Sequence, residues 1–521
     1  MEGRPVSEVL DISRDDFDRR NGSLVTDHSN SSSATQSVIA NEPQPTTGLD
    51  SITEKPDRVG VVSEIHAPAP QQKPPRKCRP CQRTTLPGPD FSLFLLGFLP
   101  KHPEPLRNYI KMMLVVTLLT VLVSWVTIPV FWGAVSHQRD FTDKLVCWFI
   151  DQDGSSLGQA MQAAFQANIN ARTNSKLGWR IYEPGKSLTI QQIRSAVIEE
   201  HAWAAVVVNQ GATASLISAR ENGDASYNNS AAVSFFYDQA RNENAAGLYI
   251  VPYTQALIQA SLRNFSASYT GAYLEAQSGN ATAMQALATA PLTIFSPFSY
   301  GTLNLRPYTC SSRGGAVTVI GMILILVFGF VISMAGYQVR MPLEPFLTYK
   351  SLVILRVVAP LLVYIPLSFA CAMVSLAFKL PFAAKYNHAA GFFLFWFYIF
   401  LAMSAMGLAT EVSVSWLTPR RNAFALFPFI ISNSVSTSLP IQLQPWFYKF
   451  GFGFPFYNAD QAVRTIIFNT KSHLGLNAGV LLCWIALSAF VTLPFTIWFH
   501  HRKGLRAARE ARYGASHLDM S

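Results

Sequence analysis

The chain has 521 residues, of which 50% are hydrophobic and 14% are charged, and its formal net charge is +10. Soluble proteins carry about a quarter charged residues, so this composition argues against an ordinary soluble protein and indicates a membrane protein. Much of the positive charge flanks apolar runs, where membrane topology and anionic lipid headgroups explain it. We therefore expect membrane lipids as partners and no nucleic-acid partner.

The N-terminal region shows no apolar periodicity. Residues 1–90 are rich in Ser, Thr, Pro, Asn and Asp, a composition that buries too little apolar surface to offset chain entropy. We expect a disordered cytoplasmic tail. Residues 91–111 begin with FSLFLLGFLP, an apolar run too short to cross a bilayer, and continue with basic residues. This segment predicts an interfacial helix and a basic juxtamembrane stretch; the alternative for the helix is a short core element.

Residues 112–132 form the first long apolar run, which carries no charge. At about 1.5 Å per residue, a helix of this length crosses a bilayer core of about 30 Å. The preceding flank is strongly basic, with Lys73, Arg76, Lys77, Arg79, Arg83, Lys101, Arg107 and Lys111. By the positive-inside rule that flank is cytoplasmic, and the chain after residue 132 emerges on the other side of the membrane.

Residues 133–314 are soluble in character. Runs at 144–150, 202–208 and 231–237 predict strands, and the stretches 157–171, 189–200 and 252–288 between and after them predict helices. Such alternation indicates an extracytoplasmic α/β domain with at least partly parallel strands. Three sequons, at Asn228, Asn264 and Asn280, fall inside it and favour N-glycosylation outside the cytoplasm.

Five further apolar runs follow the α/β domain, at 315–335, 352–378, 391–417, 423–439 and 478–499. Basic residues in the intervening loops and in the tail 500–521 agree with the positive-inside rule throughout. The predicted fold is therefore a membrane α-helical protein with six transmembrane helices and both termini cytoplasmic. The α/β domain is inserted between helices 1 and 2.

The fifth run is unusually polar and is followed by the aromatic-rich segment 441–472. Aromatic residues at this density suit either a re-entrant element buried among helices or an outer loop with an aromatic belt. If a transport path exists, Asn433 and Ser434 are candidates to line it.

Two ionisable residues lie inside apolar runs. Arg356 and Glu411 sit at matching depths on consecutive helices that we expect to be antiparallel. Buried charges in a membrane are costly unless they are paired, so we predict that these two side chains form an ion pair. Separate snorkelling to the interface and a proton relay are the alternatives.

Several residues of the α/β domain carry local predictions. Cys147 and Cys310 lie near its two ends, where a disulfide would close its base; two buried thiols are the alternative. Asp151, Asp153 and Gly154 follow a predicted strand and precede a predicted helix. This pattern favours a tight turn that caps the helix, with ligand or cation binding as the alternative.

The sequence contains no phosphate-binding loop, no zinc-type ligand spacing and no arrangement of nucleophile and base. We therefore expect no enzyme activity, no cofactor, no metal site and no ATPase activity of its own.

Three segments carry a resemblance to known proteins: Leu145–Leu157 (LVCWFIDQDGSSL), Val233–Pro252 (VSFFYDQARNENAAGLYIVP) and Pro445–Trp484, with its punctuated aromatics. Over about residues 95–505 the chain resembles the fungal nitrosoguanidine-resistance membrane protein family. It is more distantly similar to bacterial phage-infection-protein-like proteins, and its membrane part to type-2 ABC permease domains without a nucleotide-binding domain.

The resemblance implies a plasma-membrane protein that contributes to resistance to toxic or mutagenic small molecules, as an exporter or exporter subunit. An exporter would need an energy source, such as an ATPase partner in trans. The alternative is a non-transporting scaffold or receptor that affects membrane lipid organisation or partner proteins.

Overall fold

A computed structural model describes residues 103–173, 176–182, 188–308, 311–417, 419, 421–500 and 502. The predicted tail 1–90, the predicted interfacial helix and nearly all of the tail 500–521 lie outside the described residues. From residue 110 onward the described chain belongs to one compact unit.

The described residues of the α/β part form five strands and five main helices. The strands are β1 (Val146–Asp151), β2 (Gly178–Tyr182), β3 (Ala204–Val208), β4 (Val233–Tyr237) and β5 (Tyr300–Asn304). The helices are α2 (Ser156–Asn170), α3 (Ile190–Ile198), α4 (Ala212–Asn222), α5 (Val251–Gln277) and α6 (Ala281–Thr289). Shorter helical pieces are Gln138–Lys144, Asn229–Ala231, Glu243–Ala245, Ala246–Ile250 and Leu292–Phe295.

The remaining helices belong to the membrane part. They are α1 (Pro103–Val135), α7 (Val319–Arg340), α8 (Tyr349–Ala377), α9 (His388–Leu417), α10 (Ala423–Ser438), α11 (Pro455–Phe468) and α12 (Leu474–Ala486). A π-helical segment, Leu487–Thr492, follows α12, and the helical run reaches His500. Shorter pieces are Ser311–Val317, Glu344–Phe346, Ile441–Leu443 and Trp446–Gly453.

The five strands form one mixed sheet in the order β2–β1–β3–β4–β5. β1 pairs in parallel with β2 and β3, and β4 pairs in parallel with β5, whereas β3 and β4 are antiparallel. The predicted strands at 144–150, 202–208 and 231–237 are confirmed as β1, β3 and β4, and so is partly parallel pairing. The edge strands β2 and β5 are two that the sequence did not predict.

Both faces of this sheet are covered, which explains why β3 is a continuous apolar run with every residue buried. One face packs against residues such as Phe165 on α2 and Ile258 on α5. The other face packs against Ile193 and Val197 on α3.

Among the described residues, five helices are long and apolar enough to cross a membrane: α1, α7 with the turn before it, α8, α9, and α12 with its extension. The predicted count of six is therefore not reached. The predicted fifth span, 423–439, is α10, which has 16 residues and is about 24 Å long. It ends at polar residues before Pro440, where proline removes a backbone donor.

The membrane helices differ greatly in how much the rest of the molecule covers them. The apolar window of α9 is 67% buried, whereas that of α1 is 6% buried. α9 is thus the centre of the bundle, and α1 is a peripheral helix. Residues 103–111, predicted as a juxtamembrane segment, belong to the same continuous helix α1.

α11 lies inside the bundle. Twelve of its fourteen residues are buried, and it packs against α9, α10 and α12. Of the two interpretations of segment 441–472, this placement favours an element buried among helices over an exposed outer loop.

Candidate functional site

An apolar groove runs along the bundle between α7, α8 and α9. Its volume is about 670 Å³, and its lining includes Leu324, Phe328, Val374, Phe378 and Phe395. Leu324, Val374 and Phe378 are exposed, so the groove opens on the side of the bundle that would face lipid. None of the described residues that line it is charged. A groove of this kind suits an apolar molecule or an acyl chain.

Small side chains create the space of the groove. Ala316 and Gly321 on the α7 side and Ala370 on α8 line it, and each leaves room where a larger side chain would fill it. A side chain at Gly321 would also approach the Ala316 carbonyl oxygen within 2.6 Å. The groove is therefore a consequence of residue size at a few helix positions, which hydrophobic periodicity does not reveal.

A buried ionic cluster ties α7, α8 and α9 together at the other end of the bundle. Glu411 Oε1 accepts hydrogen bonds from Arg356 Nε at 3.0 Å and from Arg340 Nη2 at 2.8 Å. Arg340 Nε also donates to Glu344 Oε1 at 3.1 Å. Glu411 is fully buried, and both arginine side chains are nearly so. The structure brings together Arg356 and Glu411, as the matching depths predicted.

Sequence reasoning missed the second arginine of this cluster. Arg340 is the last residue of α7, where a basic residue looks like an ordinary cytoplasmic flank. Two cations and two carboxylates compensate one another here, so the arrangement stabilises helix packing.

A second buried ionic cluster joins the α/β part to the membrane part. Arg464 on α11 is 1% exposed, and its Nε donates to Asp460 Oδ2 at 2.7 Å. Its Nη1 donates to Glu243 Oε2 at 2.6 Å and to the Ala240 carbonyl at 3.0 Å, both in the segment after β4. We call these four residues the junction cluster. It was not predicted, although Asp460 and Arg464, the two charged residues of α11, stand four residues apart, a spacing that favours an ion pair.

Other hydrogen bonds reinforce this junction. Asn244 donates to the Ser438 carbonyl at 2.8 Å, and Arg306 Nε donates to the Asn469 carbonyl at 2.9 Å. Lys471 Nζ donates to the Glu199 carbonyl at 2.9 Å. Because the bonds originate from several elements, the α/β part is held firmly against α10, α11 and the segment after α11.

Asp238 lies at the end of β4 beside this junction and is almost fully buried. Burial raises the pKa of Asp238 to about 6, although Arg241 and Arg306 oppose the shift. Arg241 itself lies 3.8 Å from Glu200 and stacks over the ring of Trp203. The junction therefore contains a carboxyl group that titrates just below neutral pH.

The turn after β1 has the tight geometry that its sequence predicted. Asp151 Oδ1 accepts hydrogen bonds from the backbone N–H groups of Asp153 and Gly154, and Gly154 has a φ of +64°. Asp153 caps α4, because its carboxylate accepts from the Thr213 N–H and hydroxyl groups. The capped helix is thus α4 and not α2, whose preceding residue Ser155 makes no capping bond.

Among the described residues, no group of three or more His, Cys, Asp or Glu side chains could hold a metal ion.

Cys147 is a free thiol, wholly buried in β1, and burial raises its pKa. Its predicted disulfide partner, Cys310, lies outside the described residues. The pairing of Cys147 with Cys310 therefore stays a prediction.

The three sequon asparagines Asn228, Asn264 and Asn280 are all exposed. Asn264 lies on α5, and Asn280 caps α6. All three positions are therefore accessible to a modifying enzyme.

The two residues predicted to line a path are buried by packing. Asn433 is fully buried, donates to the Phe429 carbonyl and accepts from the N–H of Phe456 at the start of α11. Ser434 is also buried. Asn433 therefore links α10 to α11, and in this state neither residue lines the groove.

The profile of a protein family described as a protein of unknown function (DUF3533) matches residues 115–490, which is more than half of the chain. The chain belongs to this family. The DUF3533 match includes the groove, the Glu411 cluster and the junction cluster, so all three lie within the family's common region.

One relative is an uncharacterized endoplasmic reticulum membrane protein of Saccharomyces cerevisiae. It is 23% identical over 413 residues, which cover 74% of this chain and 79% of the relative. No solved structure matches the chain. The family match, the yeast relative and the five apolar helices confirm a multi-pass α-helical membrane protein of a fungal family.

Proposed function

We propose that this DUF3533 protein contributes to resistance to toxic or mutagenic small molecules as a permease-like exporter or exporter subunit. The observation that carries the proposal is the groove between α7, α8 and α9, because it offers an uncharged, lipid-facing site to apolar compounds dissolved in the bilayer. The resemblance to nitrosoguanidine-resistance proteins and to type-2 ABC permeases supports the same function by analogy.

The proposal includes partners and a location. The ligands are toxic small molecules and membrane lipids, and an ATPase in trans supplies the energy, since the chain has no phosphate-binding loop of its own. We assign no enzyme activity, cofactor or nucleic-acid partner. We propose the plasma membrane as the site of action; the endoplasmic reticulum, named for the yeast relative, is the competing location.

The proposed topology has both termini in the cytoplasm, which requires an even number of crossings. α10 would supply the sixth crossing together with the buried residues that follow it. Its first residue comes soon after the end of α9, and Ser438 at its other end contacts Asn244 of the α/β part. Leu439 and Leu443 then enter the apolar core of the α/β part. The 16-residue helix is shorter than the bilayer core of about 30 Å, and the buried segment that follows it would supply the remaining length.

A second candidate function is a non-transporting scaffold or receptor that affects lipid organisation. The junction favours it, because buried ionic contacts hold the α/β part firmly to the bundle. A fixed external domain suits the recruitment of partners.

The deciding experiment measures accumulation of a labelled nitroso alkylating agent in cells that express or lack the protein, before and after ATP depletion. An exporter gives lower accumulation that depends on ATP. Equal accumulation with persisting resistance would contradict export and favour the scaffold.

A groove variant makes this measurement specific. Ala370→Phe places a ring in the groove, whereas Val363→Phe places the same ring on α8 at an exposed position outside it. We expect Ala370→Phe to remove the difference in accumulation and Val363→Phe to keep it. If both variants remain active, the groove does not carry the function.

A further inference from the structure

A second cavity, of about 450 Å³, lies between α9, α10 and α12. It is lined by Ala409 and Ser413, near the end of α9 that also carries Glu411, whereas the groove is lined by Phe395 and Ile399 near the start of α9. The wall from α12 includes residues of its π-helical segment, a backbone form that often marks functional sites.

Three aromatic side chains form one part of the cavity wall: Phe429, Phe454 and Trp484. The ring centroid of Trp484 lies 6.3 Å from that of Phe429 and 6.1 Å from that of Phe454. Trp484 Nε1 donates to the Gly453 carbonyl at 2.7 Å. This bond fixes the indole ring and leaves it no N–H to offer a ligand, so its contribution is the electron-rich face.

Hydroxyl groups form another part of the wall, and three of them already use their protons within the helices. Ser413 donates to the Ala409 carbonyl at 3.1 Å, Ser432 to the Pro428 carbonyl at 2.8 Å, and Thr492 to the Leu487 carbonyl at 3.2 Å. A hydroxyl has one proton and two lone pairs, so these three can only accept from a ligand. In the part of the chain that the structure describes, no charged residue lines this cavity.

We propose that this cavity binds lipophilic organic cations. Aromatic faces attract a cation through the ring quadrupole, and hydroxyl oxygens with free lone pairs stabilise positive charge in the same space. An anion of the same shape meets ring faces and these lone pairs, with the Ser488 hydroxyl as the donor that the described lining leaves for it. The site is separate from the apolar groove, with which it shares no lining residue. It would add positively charged amphipathic molecules to the neutral ligands proposed for the groove.

The test uses the full chain in nanodiscs of zwitterionic lipid and two labelled probes, tetraphenylphosphonium and tetraphenylborate. These ions have nearly the same shape and opposite charge, and empty nanodiscs give the partitioning background. We expect saturable binding of tetraphenylphosphonium to the protein and none of tetraphenylborate above background. Saturable binding of both with equal affinity, or of neither, would overturn the proposal.

Variants locate the binding. Trp484→Leu should weaken tetraphenylphosphonium binding by about fivefold, as expected for loss of a buried cation–π contact. Trp484→Phe keeps an aromatic face and should bind nearly as well as the wild type, which separates loss of the face from misfolding. Phe490→Leu, at a 79% exposed position on the same helical run, is the matched control.

The groove variant separates this site from the proposed function. Ala370→Phe should leave tetraphenylphosphonium binding unchanged even where it removes the difference in accumulation. If Ala370→Phe abolishes binding and Trp484→Leu does not, the cation site lies in the groove and this assignment is wrong.

Discussion

Glu411 accepts hydrogen bonds from two buried arginines, so its loss has a larger effect than the loss of either partner. Removing one member of a buried ion pair leaves an uncompensated charge, at a cost of about 3–5 kcal/mol. Glu411→Gln leaves Arg356 without its carboxylate partner and leaves Arg340 with Glu344 alone. Arg356→Met, in contrast, leaves Glu411 paired with Arg340. We expect Glu411→Gln to lower thermal stability in nanodiscs clearly more than Arg356→Met.

The double variant completes this test. Glu411→Gln combined with Arg356→Met should recover part of the loss, because only Arg340 remains and Glu344 still pairs with it. Glu344→Gln, at a partly exposed position, is the control and should change stability by about 0–1 kcal/mol. Strictly additive losses for Arg356 and Glu411 would show that the pair is not energetically coupled.

Asp238 gives the molecule a pH dependence of a defined sign. Its pKa in the folded state is raised to about 6, above the ordinary value of an aspartate, because the side chain is buried. The folded state therefore binds this proton more tightly than the unfolded state, and its stabilising effect is lost as pH rises from about 4 to about 6. Asp238→Asn should flatten this part of the stability profile, measured by thermal unfolding at a series of pH values.

The matched control for Asp238 is Asp224, an exposed aspartate of the same α/β part. Hydrogen bonds from Ser226 lower the pKa of Asp224, so its own titration lies below this pH range. Asp224→Asn should leave the profile between about pH 4 and about pH 6 unchanged. An identical profile for wild type and Asp238→Asn would assign the dependence to another group.

At the scale of elements, α11 decides whether the α/β part stays fixed to the bundle. Arg464→Met removes the guanidinium that Asp460 and Glu243 share and leaves two neighbouring carboxylates. We expect a cost of about 3–5 kcal/mol and faster proteolysis in the segment that follows β4. Limited proteolysis of nanodisc samples measures this change.

The control and the rescue for α11 are available in the same region. Lys471→Met removes a single bond to a backbone carbonyl at an exposed position and should change the cleavage rate little. Asp460→Asn in the Arg464→Met background should restore part of the protection. Unchanged cleavage in Arg464→Met would show that other contacts hold the junction.

The strands that the sequence predicted are those whose residues are mostly apolar. β1, β3 and β4 lie in the middle of the sheet and are mostly apolar runs, whereas β2 and β5 lie at its edges and consist mostly of half-exposed residues. The contact between Arg356 and Glu411 could be predicted from their matching depths within consecutive apolar runs. The groove could not be predicted in this way, because it depends on residue size. Of the junction cluster only the Asp460–Arg464 spacing gave a signal, because its other contacts join segments more than 200 residues apart.

At the scale of the whole molecule, the sequons report orientation. Asn228, Asn264 and Asn280 lie in the α/β part, and two further sequons, at Asn21 and Asn30, precede the first apolar run. If the α/β part is extracytoplasmic, substitution of each of the first three by Gln should remove one glycan from the protein, seen as a mobility shift that deglycosylation abolishes.

The N-terminal sequons provide the control for this orientation test. Asn21→Gln and Asn30→Gln should leave mobility unchanged, because the proposed topology keeps them in the cytoplasm. Glycans at Asn21 or Asn30 with none in the α/β part would reverse the orientation of the whole chain.

The junction cluster also has a consequence for the order in which the molecule is made. Arg464 leaves the ribosome more than 200 residues after Ala240 and Glu243, the residues that it binds. The complete sheet is therefore synthesised well before Arg464, whose guanidinium fixes it to the bundle. Until then Glu243 lacks this ion-pair partner. A ribosome-bound chain that ends before residue 455 should carry a folded but untethered α/β domain, and docking becomes a late, nearly post-translational step of biogenesis.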